Sequence, residues 1–378
     1  MARGDDIKSD WARLLWPGLL AAETGVAFAH RVIEALTPAL SEAPRPEPVW
    51  ASPNTIVLEL GAARLRRFGP TTQDRTKDRT KDRTRARTPI LVCAPFALHD
   101  ARIADLCEEH SLMAQLGAGG GPLYLVEWLS AQKTQASRRI DDYLADLNVM
   151  VDAIGGRCDF VGLCQGGWLS LIYAARFPEK ARKLAIAAAP IDTRAGDTPF
   201  SALALATPIE TYQQLIHLGE GLARGDQAQQ FWGLTAQSPE QIHALLESGL
   251  PLDSARFLAC ADLYRAWCDR PLDLPGAYYL EVVDKLYKRN QLAEGQFIAL
   301  GRQIDLRRLR APLFLIGARD DEISSPQQTL ACARLVGTPP EAIRERIVPG
   351  GHLGLFLGAP AMKNLWPEVV AWFRESGR

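Results

Sequence analysis

A chain of 378 residues with 47% hydrophobic content and a formal net charge of -1 can bury a large core in one sizeable domain with an insertion, and its balanced charge gives no footprint for nucleic acid. Its seven cysteines, at irregular spacing, form neither a disulfide framework nor a zinc pattern, which fits a reducing cytoplasm. Asp5, Asp6 and Asp10 crowd the region where a secretory signal needs positive charge, and no apolar run approaches the roughly 20 residues that span a bilayer, so no signal and no membrane span are expected.

Residues 1–50 read as a helical segment and a linker. Leu19, Ala22, Val26, Ala29, Ile33 and Leu36 recur at helical spacing after Pro17, and Pro44, Pro46 and Pro48 then break the chain. A first sheet segment is expected over 51–195. Thr55 to Leu60 and Ala62 to Phe68 form two strands around Gly61, and 71–88 form a mobile charged loop. That loop carries the tandem repeat Asp74-Arg75-Thr76-Lys77-Asp78-Arg79-Thr80-Lys81, which has nothing to bury.

Buried strands follow at Ile90 to Ala94, Leu123 to Val126, before Gly162 and at Lys183 to Ala189, separated by helices such as Ile140 to Ile154. This alternation predicts an α/β fold with a mostly parallel sheet covered by helices on both faces. Residues 196–294 read as a helical cap above the carboxyl ends of the strands, with Trp232, Tyr264, Trp267, Tyr278, Tyr279 and Tyr287 in its core or lining a substrate channel. The sheet resumes over 295–378, with a strand at Pro312 to Gly317, a helix at Pro326 to Val336, a strand around Arg346 to Val348 and a closing helix ending near Phe373.

The chemistry is concentrated at Gly162-Leu163-Cys164-Gln165-Gly166-Gly167, between an apolar strand and the helical run from Trp168 to Ala175. This is the pattern of a nucleophile elbow with cysteine in the serine position: glycines two residues either side of the nucleophile let strand and helix approach across a strained turn. A helix N-terminus and a basic partner would favour the thiolate. The acid and the base should follow in the order nucleophile, aspartate, histidine. His352 lies in a glycine-rich turn after a late strand, and it stands ahead of His30, His99, His110, His217 and His243. Either Asp320 or Asp321 can supply the carboxylate; Asp321, two residues before Ile323, is preferred, and Asp192 is a third candidate. The oxyanion hole is expected from the backbone N–H groups of Gln165 and Phe96. The histidines and cysteines show no ligand spacing for a metal, and no cofactor is indicated.

Gly162 to Gly167, Tyr173 to Lys180, Ala189-Pro190-Ile191-Asp192, Asp141-Asp142-Tyr143 and the turn from Pro349 to Gly354 resemble polyhydroxyalkanoate synthases, especially the short, two-subunit class. Leu272 to Pro275, Tyr279-Leu280-Glu281, Arg319-Asp320-Asp321 and Gln328-Thr329 are similar to intracellular polyhydroxyalkanoate depolymerases. The resemblance spans roughly residues 50 to 375 and implies an α/β-hydrolase fold with Cys164, Asp321 and His352 as triad. Synthases place a histidine directly after the catalytic aspartate, where Glu322 stands here, and depolymerases follow Cys-Gln with proline, where Gly166 stands. The expected activity is therefore hydrolysis of polyester or oligomer ester bonds through an acyl-cysteine. Synthesis from 3-hydroxyacyl coenzyme A thioesters is the alternative, and an inactive granule-binding protein a second one. The expected partners are a polyester or oligomeric hydroxyacyl substrate, a granule surface, and a partner subunit or a second copy of the chain.

Overall fold

Short runs of apolar and β-branched residues form the eight strands of one sheet: β1 Asn54–Leu60, β2 Ala63–Phe68, β3 Ile90–Cys93, β4 Leu123–Trp128, β5 Cys158–Leu163, β6 Ala181–Ala187, β7 Leu313–Ala318 and β8 Ile343–Val348. They are seen in a computed structural model that describes residues 49–69, 87–233, 239–246 and 254–375. The expected N-terminal helix, its proline linker and the charged repeat up to residue 86 lie outside the described residues. The strand order is β1-β2-β4-β3-β5-β6-β7-β8. β1, β2 and β4 pair antiparallel, and every neighbour from β4 to β8 pairs parallel.

Parallel strands need crossovers, which helices supply on both faces. In chain order the α-helices of five residues or more among the described residues are α1 Leu112–Gly117, α2 Ile140–Ala153, α3 Gln165–Arg176, α4 Pro199–Ala206, α5 Ile209–Leu218, α6 Gly225–Trp232, α7 Pro239–Leu246, α8 Ala255–Cys268, α9 Gly276–Val282, α10 Pro326–Leu330 and α11 Trp366–Arg374. Alternate side chains of one strand enter opposite layers, as the pleat requires. Leu313 and Leu315 of β7 join the layer of α2 and α3 with Tyr143, Leu147 and Ile172. Phe314 and Ile316 join the layer of α1 and α11 with Leu116, Val369 and Phe373.

The segment between β6 and β7 covers the carboxyl ends of the strands. Leu272 N donates to Leu98 O at 2.6 Å, Tyr278 Oη to Phe96 O at 3.3 Å and Thr193 Oγ1 to Leu286 O at 2.7 Å, so it is bonded to the loops that follow β3 and β6. A two-residue ladder, Leu222–Ala223 against Leu274–Pro275, ties its helices together. Its aromatic residues do not form a separate core. Trp232, Tyr278, Tyr279 and Tyr287 join one hydrophobic layer of the body, and Tyr264 and Trp267 join the other.

The closest approach in the body is at the start of α3. A Cβ added at Gly166 would lie 2.0 Å from Cys93 O and 2.8 Å from Ala94 O, and one added at Gly162 would lie 2.5 Å from the Gly167 Cα. These are backbone obstacles, which cannot swing aside. Gly166→Ala is therefore expected to cost about 2 kcal/mol or more of folding stability. Gly117→Ala, whose Cβ would meet only Leu123 Cδ2 at 3.8 Å, should stay within about 1 kcal/mol of the parent. Denaturant midpoints of the two variants check this, and equal midpoints would contradict the packing account.

Candidate active site

Cys164 sits between the last residue of β5 and the first of α3, with φ 48° and ψ -114°. A non-glycine residue in this region is strained and persists only where its surroundings fix it. Here the Cys164 N–H donates to Ala187 O of β6 at 2.8 Å, and the Gly167 N–H closes the turn onto Cys164 O at 2.9 Å. The side chain consequently stands at the carboxyl edge of the sheet, directly before the N-terminus of α3.

The acid and the base reach the same point from the other half of the sheet. Asp321 follows β7 and His352 follows β8, and the His352 Nδ1 lies 2.8 and 3.0 Å from the two Asp321 carboxylate oxygens. Asp321 Oδ1 also accepts from the N–H groups of Ile323 (2.9 Å) and Ser324 (2.8 Å), which fixes the carboxylate. With Nδ1 committed to Asp321, the ring also interacts electrostatically with the Cys164 sulfur. Cys164, Asp321 and His352 are only 8%, 6% and 4% exposed. Burial by itself lowers the His352 pKa, but the Asp321 carboxylate and the Cys164 sulfur outweigh it and hold the pKa well above the ordinary histidine value.

The alternatives fall elsewhere. Asp320 is exposed, and its Oδ2 accepts from the Gly350 N–H at 3.3 Å rather than from His352. Asp192 accepts from Asn290 Nδ2 at 2.8 Å and pairs with Arg334, so it ties the segment between β6 and β7 to the body. His99 packs at a tilt against Trp267 (ring centroids 4.4 Å apart), His110 bonds Leu357 O, and His243 packs against Phe257. His30 lies outside the described residues.

Of the two expected oxyanion donors, Gln165 directly follows Cys164 and Phe96 lies in the loop after β3. Gln165 is the first residue of α3, where N–H groups have no intrahelical acceptor. Its side chain is occupied by Trp168 Nε1 at 2.6 Å. Phe96, in the loop after β3, is 2% exposed and held among Trp128, Tyr143 and Tyr278. Tyr278 was read from the sequence only as a member of a cap core or channel; its hydroxyl grips Phe96 O, a contact across 182 positions that no local pattern announces.

One expectation about cysteine changes. Cys107 and Cys260, which carry no framework spacing, are joined by a disulfide. With His110 they form the one group of metal-capable side chains that converges among the described residues. The physical reason is tertiary: α8 lies across the hairpin that carries Cys107. Among the described residues no helix is long and apolar enough to cross a membrane.

A protein-family model described as "PHB de-polymerase C-terminus" matches residues 256–376, which include Asp321 and His352. The "Poly(3-hydroxyalkanoate) polymerase subunit PhaC" of Haloferax mediterranei is 26% identical over 341 residues, covering 86% of this chain and 65% of the polymerase. The protein of the same name from Allochromatium vinosum is 26% identical over 281 residues, covering 72% of this chain and 77% of that one. Among solved structures, the monoacylglycerol lipase of Paleococcus ferrophilus superposes with a TM-score of 0.50 at 14% identity, over 75% of this chain and 93% of the lipase. That likeness shows the α/β-hydrolase fold.

The balance at His352 is open to titration. Its raised pKa means that the folded state holds the proton more tightly than the unfolded chain. The resulting stabilisation is complete below the ordinary value of 6.5 and is lost as pH rises through the folded value. In Asp321→Asn the carboxylate is gone while burial remains, so the His352 ring should titrate at lower pH than in the parent. Histidine ring NMR signals followed against pH measure this, and an unmoved His352 titration would contradict the assignment of Asp321 as its partner.

Proposed function

Because the chain belongs to the superfamily that unites polyhydroxyalkanoate synthases and intracellular depolymerases on an α/β-hydrolase fold, and is an acyl-transfer enzyme of that fold, we propose that it builds polyester. In this reading it transfers 3-hydroxyacyl groups from coenzyme A thioesters to a growing chain through Cys164. The observation that carries the direction is that both relatives described above are named polymerase subunits and align over 86% and 72% of this chain. Hydrolysis, the reading favoured by the sequence, rested on Glu322 in the position after the acid. Glu322 is exposed, whereas Cys164, Asp321 and His352 are buried, so the residue in that position stands outside the buried triad. The depolymerase family model over residues 256–376 keeps hydrolysis as the second reading.

The steps follow from the site. With its proton held on His352, the Cys164 sulfur attacks the thioester carbonyl. The oxyanion that forms is met by the N–H groups of Gln165 and Phe96. Coenzyme A leaves as a thiol with the proton returned by His352, which leaves an acyl group on Cys164. The hydroxyl of a second 3-hydroxyacyl unit then gives its proton to His352 and attacks the acyl-cysteine, forming one ester bond and freeing the thiol. Asp321 holds the imidazole in the tautomer that works towards Cys164 and stabilises its protonated form. A nucleophile and a base both less than 9% exposed react in a site withdrawn from bulk water, where their electrostatic interactions are strengthened.

Incubating the purified chain with 3-hydroxybutyryl coenzyme A should release free coenzyme A thiol with formation of insoluble polyester, and Cys164→Ala should lower that rate by at least about a thousandfold. Soluble hydroxy acids released from amorphous polyester, with no polymer formed from the thioester, would overturn the direction and leave the hydrolase reading standing.

A further inference from the structure

Cys107 and Cys260 lie 153 positions apart and are joined by a disulfide with Cα atoms 6.0 Å apart. Cys107 belongs to the body of the fold. It ends the three-residue strand Asp105–Cys107, which pairs antiparallel with His110–Ser111 and sets His110 opposite Cys107. Cys260 belongs to α8, in the segment between β6 and β7. Both cysteines are buried, at 8% and 5% exposure. The imidazole of His110 is the third member of the group: one ring nitrogen and the two sulfurs all lie within 4.8 Å of one another. Its Nδ1 is bonded to Leu357 O. Burial keeps its pKa below the ordinary value, so near neutral pH the ring is an uncharged proton acceptor beside the sulfur pair.

Where α8 leads gives the bond a consequence. At the far end of the helix Trp267 Nε1 donates to Asp100 O at 3.1 Å, and Cys268 O pairs with His99 Nε2 at 3.1 Å. Just beyond, Leu272 N donates to Leu98 O at 2.6 Å. These three contacts fall on the loop that begins at Phe96, one of the two expected oxyanion donors. The middle of α8 is therefore fastened to the body covalently at Cys260, and its C-terminal end holds the loop that carries Phe96.

We propose that Cys107 and Cys260 are a redox-controlled latch, a dithiol that a low-molecular-weight disulfide such as glutathione disulfide oxidises to clamp α8 and the loop 96–100 in place. In closing, one protein thiol gives its proton to His110, and its sulfur attacks the reagent disulfide, releasing one glutathione thiol that takes the proton. The second protein thiol loses its proton as it attacks the mixed disulfide, and the second glutathione leaves as a thiol. The protein gives up two electrons and two protons, and the reagent is reduced to two thiols. In the reduced chain α8 is held by non-covalent contacts alone, so it and the loop open more often.

The test uses the full chain and a readout that does not pass through turnover, so its outcome is independent of the reaction proposed above. Samples equilibrated with glutathione disulfide or with a phosphine reductant are compared by non-reducing peptide mass mapping and by backbone hydrogen exchange. Oxidation should link the Cys107 and Cys260 peptides and slow exchange in 96–100 and 255–268 by at least about fivefold relative to the reduced sample. Cys260→Ser and Cys107→Ser should exchange like the reduced parent under both treatments, and the reduced parent itself serves as the comparison if neither variant folds. Both thiols still open to alkylation after oxidation, or a linked pair with unchanged exchange in 96–100, would overturn the latch.

Discussion

A cysteine held at φ 48° between a strand and a helix is the constraint on which the site depends. The turn brings α3 so close to β3 that Gly166 lies where a Cβ would enter the Cys93 carbonyl, and so close to β5 that Gly162 meets Gly167 across it. That proximity places the start of α3 directly behind the sulfur. The parallel pairing of β5, β6, β7 and β8 then sets the loops after β7 and β8 at the same edge. Asp321 and His352 reach Cys164 because the register of the sheet leaves them there.

The segment between β6 and β7 acts less as a separate cover than as a continuation of the body. Its aromatic residues pack into both hydrophobic layers, Tyr278 holds the carbonyl of Phe96, and Asn290 binds Asp192 in the loop after β6. Movement of this segment is thus coupled to the loops that complete the site. The same packing keeps Cys164 and His352 buried, which strengthens their electrostatic interaction with Asp321 and restricts water. The covalent link to Cys260 adds a second attachment, on the far side of the loop 96–100.

Local patterns made much of this legible. The glycine box and the apolar strand before it mark the elbow because the steric demand is local, and Asp321 is separable from Asp320 because the carboxylate must turn back onto the N–H groups of Ile323 and Ser324. Strand ends were less legible. β4 continues through Glu127, a charge that would usually end a buried run, because Arg66 of β2 pairs with it at 2.6 Å. β6 stops at Ala187 instead of continuing to Ala189, since Ala188 turns to φ 49°. β8 hides behind Arg344, Glu345 and Arg346, as befits an edge strand with one face open to solvent. The pairing of Cys107 with Cys260 and the grip of Tyr278 on Phe96 arise only when segments more than 150 positions apart meet.

In the proposed reaction the acyl group is carried on Cys164. Mixing the chain with 3-hydroxybutyryl coenzyme A, quenching in acid within the first turnovers and sequencing the peptides by mass spectrometry should show a 3-hydroxybutyryl adduct on the peptide spanning Cys164, absent in Cys164→Ala. Release of coenzyme A with the adduct on another residue, or with no adduct and full activity retained in Cys164→Ala, would contradict it.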